Sequence, residues 1–394
     1  MLAEDSKIHD FVLNNDIHAL NEHLRKKTDI NTLDKGGRTA LHLAASYNSP
    51  CIQELLSFPF IDVNKTDAVL KWTPLRYADR TRSWMAMEIL LQNGANPDNI
   101  VFTRDNVKAQ EWGQAACWEC TSKGHIKLLE FILNCAIQVN ASVEVPDNLH
   151  EKCTVLHRAS YYGQVEVVRL IVNRGADINF RDANKNTAFR FAAESVSVDI
   201  IKLLLDKQMS VNLTNTNDST PPQISAQLGH LEATKALVER GAAINSTNKY
   251  GNTPLMMAAY KGKLEIFRYL TEIGADINIR NSKNNTALHL AAESGNVDII
   301  KLLLHKGMSV NSTNTNNTTP LHVSAKFGCV EAMQALIGRG ADKNKTNKYG
   351  NTPLMMAAYR DKLEIFRYLT EIGADINIRN AKTNTAIHWA SASG

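Results

Sequence analysis

The sequence predicts an all-α solenoid, in which helix-turn-helix repeats of 33 residues stack on one another and are joined by hairpin loops. Two observations carry this prediction. The stretch NKYGNTPLMMAAY stands at 248–260 and again at 347–359, 99 residues later. A tetrapeptide of the type TPLM or TALH recurs at every 33rd residue from Thr154 to Thr385, and 99 is three such steps. A fixed period of this length is the signature of a repeat architecture.

The clearest repeat, 248–280, predicts two short helices. Thr253 can cap the first helix with its hydroxyl group, and Pro254 suits the first helical position because its missing N–H would have no partner there. Apolar residues over 264–273 have the spacing of an amphipathic second helix, and Gly274 favours a left-handed end to it. The tail of the repeat, rich in Asp and Asn, predicts a hairpin loop that leads to the next repeat.

Helices this short are not stable alone. Isolated helices below about 12–15 residues are marginal in water even with good helix formers. In a solenoid each repeat covers the apolar face of its neighbour, so stability is roughly a sum of nearest-neighbour terms. The period and the short helices together therefore favour one stack of repeats over several separate globular cores.

The residues GNTPLMMAAYKGKLEIFRYLTEIGADIN, at 251–278, closely resemble the ankyrin repeat. The resemblance extends over essentially the whole chain, as about eleven repeats and a partial one, and it implies a single solenoid over 1–394. The repeats expected on this alignment are 1–33, 34–66, 68–100, 110–142, 149–181, 182–214, 215–247, 248–280, 281–313, 314–346, 347–379 and the partial 380–394. Loop insertions are expected at 101–109 and 143–148. The thirteen-residue identity then reflects three repeats that were duplicated together.

Composition and charge argue against several classes of protein. Hydrophobic residues at 44% and charged residues at 21% are typical of a folded globular chain. A net charge of +4 is too weak to indicate nucleic acid or an anionic membrane as a partner. The N-terminus carries acidic residues where a signal peptide needs basic ones, and apolar runs stay far below the ~20 residues of a membrane span. Six scattered cysteines are typical of reduced thiols. We therefore expect a cytoplasmic protein, with the nucleus as an alternative, and no membrane insertion.

Few residues stand in patterns that catalysis or metal binding requires. Five of the twelve histidines close the recurring tetrapeptide, where the resemblance implies a structural role beside the capping threonine. Cys117 and Cys120 have CxxC spacing, but zinc needs two further ligands and a redox motif needs a thioredoxin-like setting, so we expect buried thiols. The sequence contains no phosphate-binding loop, HExxH pair or GxSxG motif. It predicts a protein that is not an enzyme and holds no metal or cofactor.

The resemblance implies that a protein partner binds on the concave side, which ankyrin repeats build from hairpin tips and the exposed face of each first helix. The positions carried over are Lys249, Tyr250, Asn252, Tyr260, Lys261 and Arg280, then Lys348, Tyr349, Asn351, Tyr359, Arg360 and Arg379 three repeats later, and Tyr161, Tyr162 and Arg181 three repeats earlier. Tyrosine and arginine are enriched in binding hot spots because they combine a large contact area with directional polar groups. The alternative is that duplication copied an idle surface.

A second candidate site is the segment KWTPLRYADRTRSW, at 71–84, which combines Trp72 and Arg80 with further arginines. An exposed tryptophan beside arginines could stack on a nucleobase or hold an acidic peptide. The alternative is that Trp84 belongs to the core and that the arginines form a solvated face.

The leading hypothesis is a non-enzymatic scaffold or adaptor that binds a protein partner in the concave groove. One alternative is a nucleotide or RNA sensor that uses Trp72 and its arginines, although the weak net charge disfavours nucleic acid. Another is the ankyrin arm of a larger receptor, channel or effector, because the chain stops at Gly394 after only the first helix of a repeat. Ankyrin repeats that resemble LTEIGADIN are also substrates of asparaginyl hydroxylation, which makes Asn278 and Asn377 candidate sites.

Overall fold

The computed structural model describes residues 7–26, 29–97, 116–135, 139–140, 142–143 and 152–392. In this part of the chain the predicted all-α solenoid is confirmed, with helices that follow one another in pairs and one two-residue β-ladder. The chain divides into two compact units, Met1–Ala183 (the N-terminal unit) and Asn184–Gly394 (the C-terminal unit). The predicted insertion at 101–109 lies outside the described residues, as does the one at 143–148 except for Val143. The exact repeat boundaries stay a prediction.

The N-terminal unit contains five pairs of helices within its described residues. The helices are α1 (Lys7–Leu13), α2 (Ile17–Leu24), α3 (Ala40–Ser46), α4 (Cys51–Ser57), α5 (Pro74–Thr81), α6 (Trp84–Gln92), α7 (116–123), α8 (Ile126–Asn134), α9 (Val155–Tyr161) and α10 (Val165–Asn173). Strands β1 (Ser142–Val143) and β2 (Cys153–Thr154) pair antiparallel, with Ser142 opposite Thr154. The strands therefore form a short hairpin that leads directly into α9.

The C-terminal unit is more regular, because its first helices begin 33 residues apart. The helices are α11 (Ala188–Glu194), α12 (Val198–Asp206), α13 (Pro221–Leu228), α14 (Leu231–Glu239), α15 (Pro254–Tyr260), α16 (Leu264–Glu272), α17 (Ala287–Ser294), α18 (Val297–His305), α19 (Pro320–Phe327), α20 (Val330–Ile337), α21 (Pro353–Tyr359), α22 (Leu363–Glu371) and α23 (Ala386–Ala392). Odd-numbered helices are the first helices of their repeats, and even-numbered helices are the second.

Each repeat buries its apolar residues against the next one. Leu255 and Ala258 of α15 are buried, as are Ile266 and Phe267 of α16. In the C-terminal unit the first helices pack in series, from α11 on α13 to α21 on α23. Small alanine side chains on these helices permit close approach, and each large apolar side chain that is buried stabilises the stack by roughly 1.5–3 kcal/mol.

A histidine or glutamine in the first turn of many first helices links neighbouring repeats. The backbone N–H of Thr286 donates to Nδ1 of His289 at 3.2 Å, and Nε2 of His289 donates to the carbonyl oxygen of Thr318 in the next repeat at 3.0 Å. Because Nδ1 accepts a backbone proton, the ring proton lies on Nε2. His322 and Gln223 make the corresponding two bonds, one within their own repeat and one to a carbonyl oxygen of the next. The implied structural role of these histidines is therefore visible in the hydrogen bonds.

Candidate functional site

Asparagine side chains shape the hairpin tips that precede the first helices of the C-terminal unit. Oδ1 of Asn281 accepts hydrogen bonds from two backbone N–H groups of its own tip, at 3.0 and 2.9 Å. Its Nδ2 donates to Oδ1 of Asn252 in the preceding tip, at 2.9 Å. The same link joins Asn314 to Asn285 and Asn380 to Asn351, each at 2.8 Å. These side-chain pairs form an asparagine ladder between successive tips.

The asparagine ladder fixes which atom each amide presents to its surroundings. Backbone N–H groups hold Oδ1 of Asn281, so its NH2 group must face the preceding tip, and the acceptor there must be Oδ1 of Asn252. The NH2 groups of Asn252, Asn285 and Asn351 are consequently left outside the ladder. None of the three has a hydrogen-bond partner among the residues that the structure describes. Asn252 and Asn351, both predicted to contact a partner, thus offer unused hydrogen-bond donors.

Hairpin tips and first helices enclose a groove in the C-terminal unit, the C-terminal groove, with a volume of about 480 Å³. Its aromatic lining consists of Phe327, Tyr349, Tyr359 and Trp389, and its charged lining consists of Lys283, Glu293 and Lys326. Asn285 and Asn351 of the asparagine ladder also line it. The groove therefore brings together three of the predicted binding residues, namely Tyr349, Asn351 and Tyr359.

Exposed aromatic rings in the C-terminal unit each lie beside a basic side chain that is adjacent in sequence. In the C-terminal groove, Nζ of Lys326 lies 4.9 Å from the centre of the Phe327 ring. The other pairs are Lys348 with Tyr349 at 5.0 Å, Arg360 with Tyr359 at 5.4 Å, Lys249 with Tyr250 at 5.1 Å and Lys261 with Tyr260 at 5.0 Å. Each arrangement is a cation–π contact. The predicted lysine and tyrosine positions therefore form basic-aromatic pairs on the surface.

Electrostatics in the C-terminal groove favour positive potential. Within the described lining, Glu293 is the single acidic residue, against Lys283 and Lys326. Burial raises the pKa of the Glu293 carboxyl group, although both lysines act in the opposite direction. The cause is desolvation, which disfavours the charged form of a carboxyl group. The groove consequently suits an anionic group.

The earlier copy of the same residues has a different setting. Tyr250 and Tyr260 are exposed in the same local structure as Tyr349 and Tyr359, but they do not line the C-terminal groove. Trp389 packs edge to face against Tyr359, with ring centres 5.1 Å apart. The two copies thus share their tyrosines and differ in what surrounds them.

The predicted arginines do not line the C-terminal groove. Nη1 of Arg280 donates to the carbonyl oxygens of Asn284 and Thr313, at 3.1 and 2.9 Å, and so connects two hairpin tips. Arg379 is exposed at the corresponding place three repeats later, and Arg181 is exposed in the N-terminal unit. Arg280 therefore has a structural contact, and binding of a partner by the three arginines stays a prediction.

A further aromatic cluster lies in the N-terminal unit. Tyr161 and Tyr162 are exposed and meet edge to face, with ring centres 5.2 Å apart. The guanidinium group of Arg158 lies 4.2 Å from the ring centre of Trp118 and 5.2 Å from that of Tyr162. The sequence did not predict Trp118 and Arg158 as site residues, because they are neither family contact positions nor part of the segment 71–84. The spacing of four between Arg158 on α9 and Tyr162, the residue after its last one, was the available signal.

The structure brings only part of the predicted Trp72 cluster together. Arg76 lies over the half-buried Trp72 ring at 5.4 Å and forms an ion pair with Asp79 at 3.0 Å. Tyr77 packs edge to face on the same ring, at 5.7 Å. Arg80 is exposed and makes no ion pair or ring contact within the described parts of the chain. Trp84 is half-buried and Arg82, like Arg80, is exposed, so the alternative of a solvated arginine face stays open.

Within the described part of the chain, few residues are arranged for metal binding or for thiol chemistry. No group of three His, Cys, Asp or Glu residues there could hold a metal ion. Cys117 and Cys120 are buried, and burial raises the pKa of the Cys117 thiol to about 12 and that of Cys120 well above its usual range. Within the same residues, every helix is too short or too polar to cross a bilayer.

Comparison with known proteins decides the family. The family model described as ankyrin repeats (three copies) matches residues 8–101, 114–215, 189–281, 273–347 and 324–394. The chain belongs to the ankyrin repeat family. Ankyrin repeats form protein–protein interaction domains and are generally non-enzymatic, which gives the exposed rings of this ankyrin repeat protein a natural interpretation.

Two curated ankyrin relatives resemble part of this chain. The B-cell lymphoma 3 protein homolog of Mus musculus is 29% identical over 166 residues, which cover 41% of this chain and 33% of that protein. The B-cell lymphoma 3 protein of Homo sapiens is 26% identical over 166 residues, with the same shares of both chains. The similarity therefore spans about a third of the length of each relative.

Proposed function

We propose that this ankyrin repeat protein is a non-enzymatic scaffold or adaptor whose C-terminal groove binds a protein partner. The observation that carries the proposal is the set of exposed aromatic rings in the groove lining, most of them beside a basic side chain. Tyr349 and Tyr359 are both 53% exposed. A cluster of exposed apolar surface on a folded protein marks an interaction site, and tyrosine is a preferred hot-spot residue.

The two duplicated segments differ around their tyrosines in a direction that favours binding over an idle copy. Lys326, Phe327 and Trp389 line the C-terminal groove, whereas 99 residues earlier the chain has Gln227, Leu228 and Leu290. All three differences add positive charge or aromatic surface beside Tyr349 and Tyr359. Duplication alone accounts for the copied tyrosines and does not account for these additions.

The duplication supplies a matched control for a binding experiment. The intact chain is compared with the double variants Tyr349→Ala/Tyr359→Ala and Tyr250→Ala/Tyr260→Ala in affinity purification from native lysate, with and without nuclease. We expect the first variant to lose a nuclease-resistant protein partner at least about tenfold, because truncation of a hot-spot residue costs roughly 1–2 kcal/mol or more. The second variant removes the same side chains outside the groove and should retain the partner.

Two outcomes would count against the proposal. Undiminished capture by Tyr349→Ala/Tyr359→Ala would show that the C-terminal groove is not the binding site. Capture that nuclease abolishes would favour the alternative sensor function, whose predicted residues are Trp72 and Arg80. Trp72→Ala should then remove binding and Tyr359→Ala should not.

The remaining alternatives stay predictions. The ankyrin arm of a larger receptor, channel or effector would use the same groove to hold a partner of that larger protein. Binding in the cytoplasm, or in the nucleus, is part of the proposal as well. Fluorescence microscopy of the full-length native gene product tests the compartment, and a signal confined to a membrane-bounded secretory compartment would contradict it.

We also propose that Asn278 and Asn377 are sites of asparaginyl hydroxylation. Both residues are exposed, and neither side-chain amide has a hydrogen-bond partner in the described structure. The corresponding amides of Asn245, Asn311 and Asn344 instead accept a backbone N–H from the next repeat, at 2.9–3.0 Å. Unbonded amides in exposed turns are accessible to a modifying enzyme.

The test of hydroxylation needs a suitable protease. Trypsin would give the same peptide, YLTEIGADINIR, from both sites. Cleavage after lysine alone gives 264–283 and 363–382, which differ by Ser282 against Ala381. We expect one added oxygen on each peptide from the native source. Unmodified mass on both peptides would remove this proposal and leave the binding function untouched.

A further inference from the structure

Charge in the C-terminal unit is divided between its second helices and the rest of its residues. The second helices α12, α14, α16, α18, α20 and α22 carry five basic and ten acidic residues, a net charge of −5. The first helices and hairpin tips, which build the C-terminal groove, carry seven basic and three acidic residues, a net charge of +4. The turns between these elements carry twelve basic and four acidic residues, a net charge of +8. The elements that build the C-terminal groove are therefore basic, whereas the second helices are acidic. Such a separation attracts partners of the opposite charge and repels others.

The hairpin tips show the same bias residue by residue. The charged residues on the described tips of the C-terminal unit stand three to five positions before the first residue of a first helix, and they are Lys185, Asp218, Lys249, Lys283, Lys348 and Lys382. Five of these six are lysine. A partner segment that runs along the tips thus meets a lysine on five of the unit's seven tips.

We infer that the C-terminal groove selects an acidic segment of a partner protein, which contains both Asp or Glu residues and apolar or aromatic residues. The inference rests on the proposed function, because it names the chemistry of the segment that this groove would bind. The proposed basis of recognition is charge complementarity between the basic groove and the acidic segment.

The groove lining contains different contact groups for the acidic and for the apolar side chains of the segment. Lys283 and Lys326 can pair with carboxylates, and the unused NH2 groups of Asn285 and Asn351 can donate to carboxylate or carbonyl oxygens. The rings of Tyr349 and Tyr359, with half-buried Val323 and Met356, provide apolar surface in the same lining. The lining therefore contains hydrogen-bond donors, ammonium groups and apolar surface together.

A nucleic acid fits the same lining less well. Arginine is the preferred residue for phosphate, because its planar fork can donate two parallel hydrogen bonds, yet the cations of the described lining are both lysines. The guanidinium group of nearby Arg360 lies over Tyr359. Glu293 would lie against a phosphate backbone of fixed negative charge. A protein segment can place an apolar residue opposite Glu293, and a polyphosphate chain cannot.

Substitution of Glu293 tests the inference, because it should increase the affinity for an acidic segment. Glu293 is the acidic member of an otherwise basic lining, so its removal should strengthen the binding of an acidic segment. We expect Glu293→Gln to increase affinity and Lys326→Gln to decrease it, each by about two- to fivefold, the size of a single partly exposed charge interaction. Lys301→Gln, on the exposed face of second helix α18, is the matched control and should leave affinity unchanged.

The experiment uses a displayed library of random twelve-residue peptides, selected on the intact chain. The same selection is run on the Tyr349→Ala/Tyr359→Ala variant and on a Lys283→Glu/Lys326→Glu variant. We expect several-fold enrichment of Asp and Glu on the intact chain, loss of those peptides on the tyrosine variant, and a shift towards Lys and Arg on the charge-reversed variant. The best peptide is then labelled with fluorescein and titrated against the single variants, with a copy in which Asn and Gln replace Asp and Glu.

The outcomes separate the inference from the proposed function. Peptides that need Tyr349 and Tyr359 but show no acidic bias would overturn the inference and leave the groove as a protein-binding site. An unchanged peptide profile on the charge-reversed variant would do the same. Absence of any peptide that depends on the tyrosines contradicts both. Competition of the labelled peptide by a twelve-nucleotide RNA at equal concentration would show that an anion, and not a protein segment, is recognised.

Discussion

At the scale of single residues, buried histidines connect the stability of the stack to pH. Burial lowers the pKa of His289 and of His322 to about 4, although hydrogen bonds to the next repeat act against this shift. In the unfolded chain a histidine has a pKa near 6.5. The unfolded state therefore binds protons first as the pH falls. Stability is fully present above about pH 6.5 and is lost progressively between about pH 6.5 and pH 4.

The size of this loss is open to a direct test. Acidification through this range costs on the order of 3 kcal/mol of stability per histidine, because the pKa is about 4 in the folded chain and near 6.5 in the unfolded chain. Protonation places a hydrogen on Nδ1, which already accepts the backbone N–H of Thr286 in the case of His289. We expect the urea midpoint of the C-terminal unit's fluorescence transition to fall markedly from pH 7.5 to pH 4.5.

In another repeat of the same chain, a glutamine stands at the position of these histidines. Gln223 makes both bonds, to the backbone of Thr220 and to the carbonyl oxygen of Asn252, each at 2.7 Å, without a group that titrates. His289→Gln/His322→Gln should therefore keep its stability at pH 7.5 within about 1 kcal/mol. It should also lose much less stability at pH 4.5. An equal loss in the variant and in the intact chain would show that other groups control the acid response.

At the scale of structural elements, the close approach of neighbouring hairpin tips depends on glycine. A Cβ atom on Gly251 would lie 2.5 Å from the backbone nitrogen of Ser282 in the next tip, and its φ is +75°. Gly274 has φ of +89° and nothing within 4 Å of such an atom. Alanine at either position costs roughly 1–2 kcal/mol for the left-handed backbone, but only alanine at 251 also meets a neighbouring tip.

The two glycine variants make a matched pair. We expect Gly251→Ala to lower the free energy of unfolding by at least about 1 kcal/mol more than Gly274→Ala, since overpacking against backbone typically costs about 1–3 kcal/mol. Chemical denaturation of both variants measures the difference. Equal losses would mean that the tips can separate without cost, and the asparagine ladder would then contribute little.

The sequence predicted the helices and their ends more accurately than the contacts between helices of different repeats. Thr253 and Pro254 start α15 as expected, and Gly274 adopts the left-handed conformation that its position after α16 predicted. These features depend on local backbone chemistry, which a single repeat contains. The asparagine ladder and the meeting of Trp118 with Arg158 depend on the register between repeats. A period of 33 residues predicts how far apart the repeats begin. It does not predict which side chains of neighbouring repeats contact one another.

At the scale of the whole molecule, the C-terminal groove differs from the equivalent positions 99 residues earlier in the chain. The copied residues Tyr349 and Tyr359 were found from the repeat, because the family resemblance gives their positions. Lys326, Phe327 and Trp389 complete the lining, and they were passed over as site residues because they do not recur at the copied positions. Binding-site prediction from the period alone therefore finds the shared part of a surface and misses what distinguishes one copy.

Charge separation in the C-terminal unit predicts a response to salt. Binding of an acidic segment to first helices and hairpin tips of net charge +4 should weaken as ionic strength rises, because the Debye length falls from over 10 Å to a few Å. We expect a several-fold loss of affinity for the selected acidic peptide between about 0.05 M and about 0.5 M NaCl, mostly in the association rate. Surface plasmon resonance measures both rates. An affinity that is independent of salt would leave only the apolar part of the lining as the source of binding.

The central claim is that the C-terminal groove contacts a protein partner, and site-specific photo-crosslinking tests it most directly. A photoreactive phenylalanine is placed at position 359 in the groove and, as a control, at Leu363, which is exposed on second helix α22. After irradiation in native lysate and nuclease treatment, we predict a discrete covalent protein adduct from position 359 and none from position 363. Adducts from position 363 alone, or adducts that disappear with nuclease, would contradict the claim.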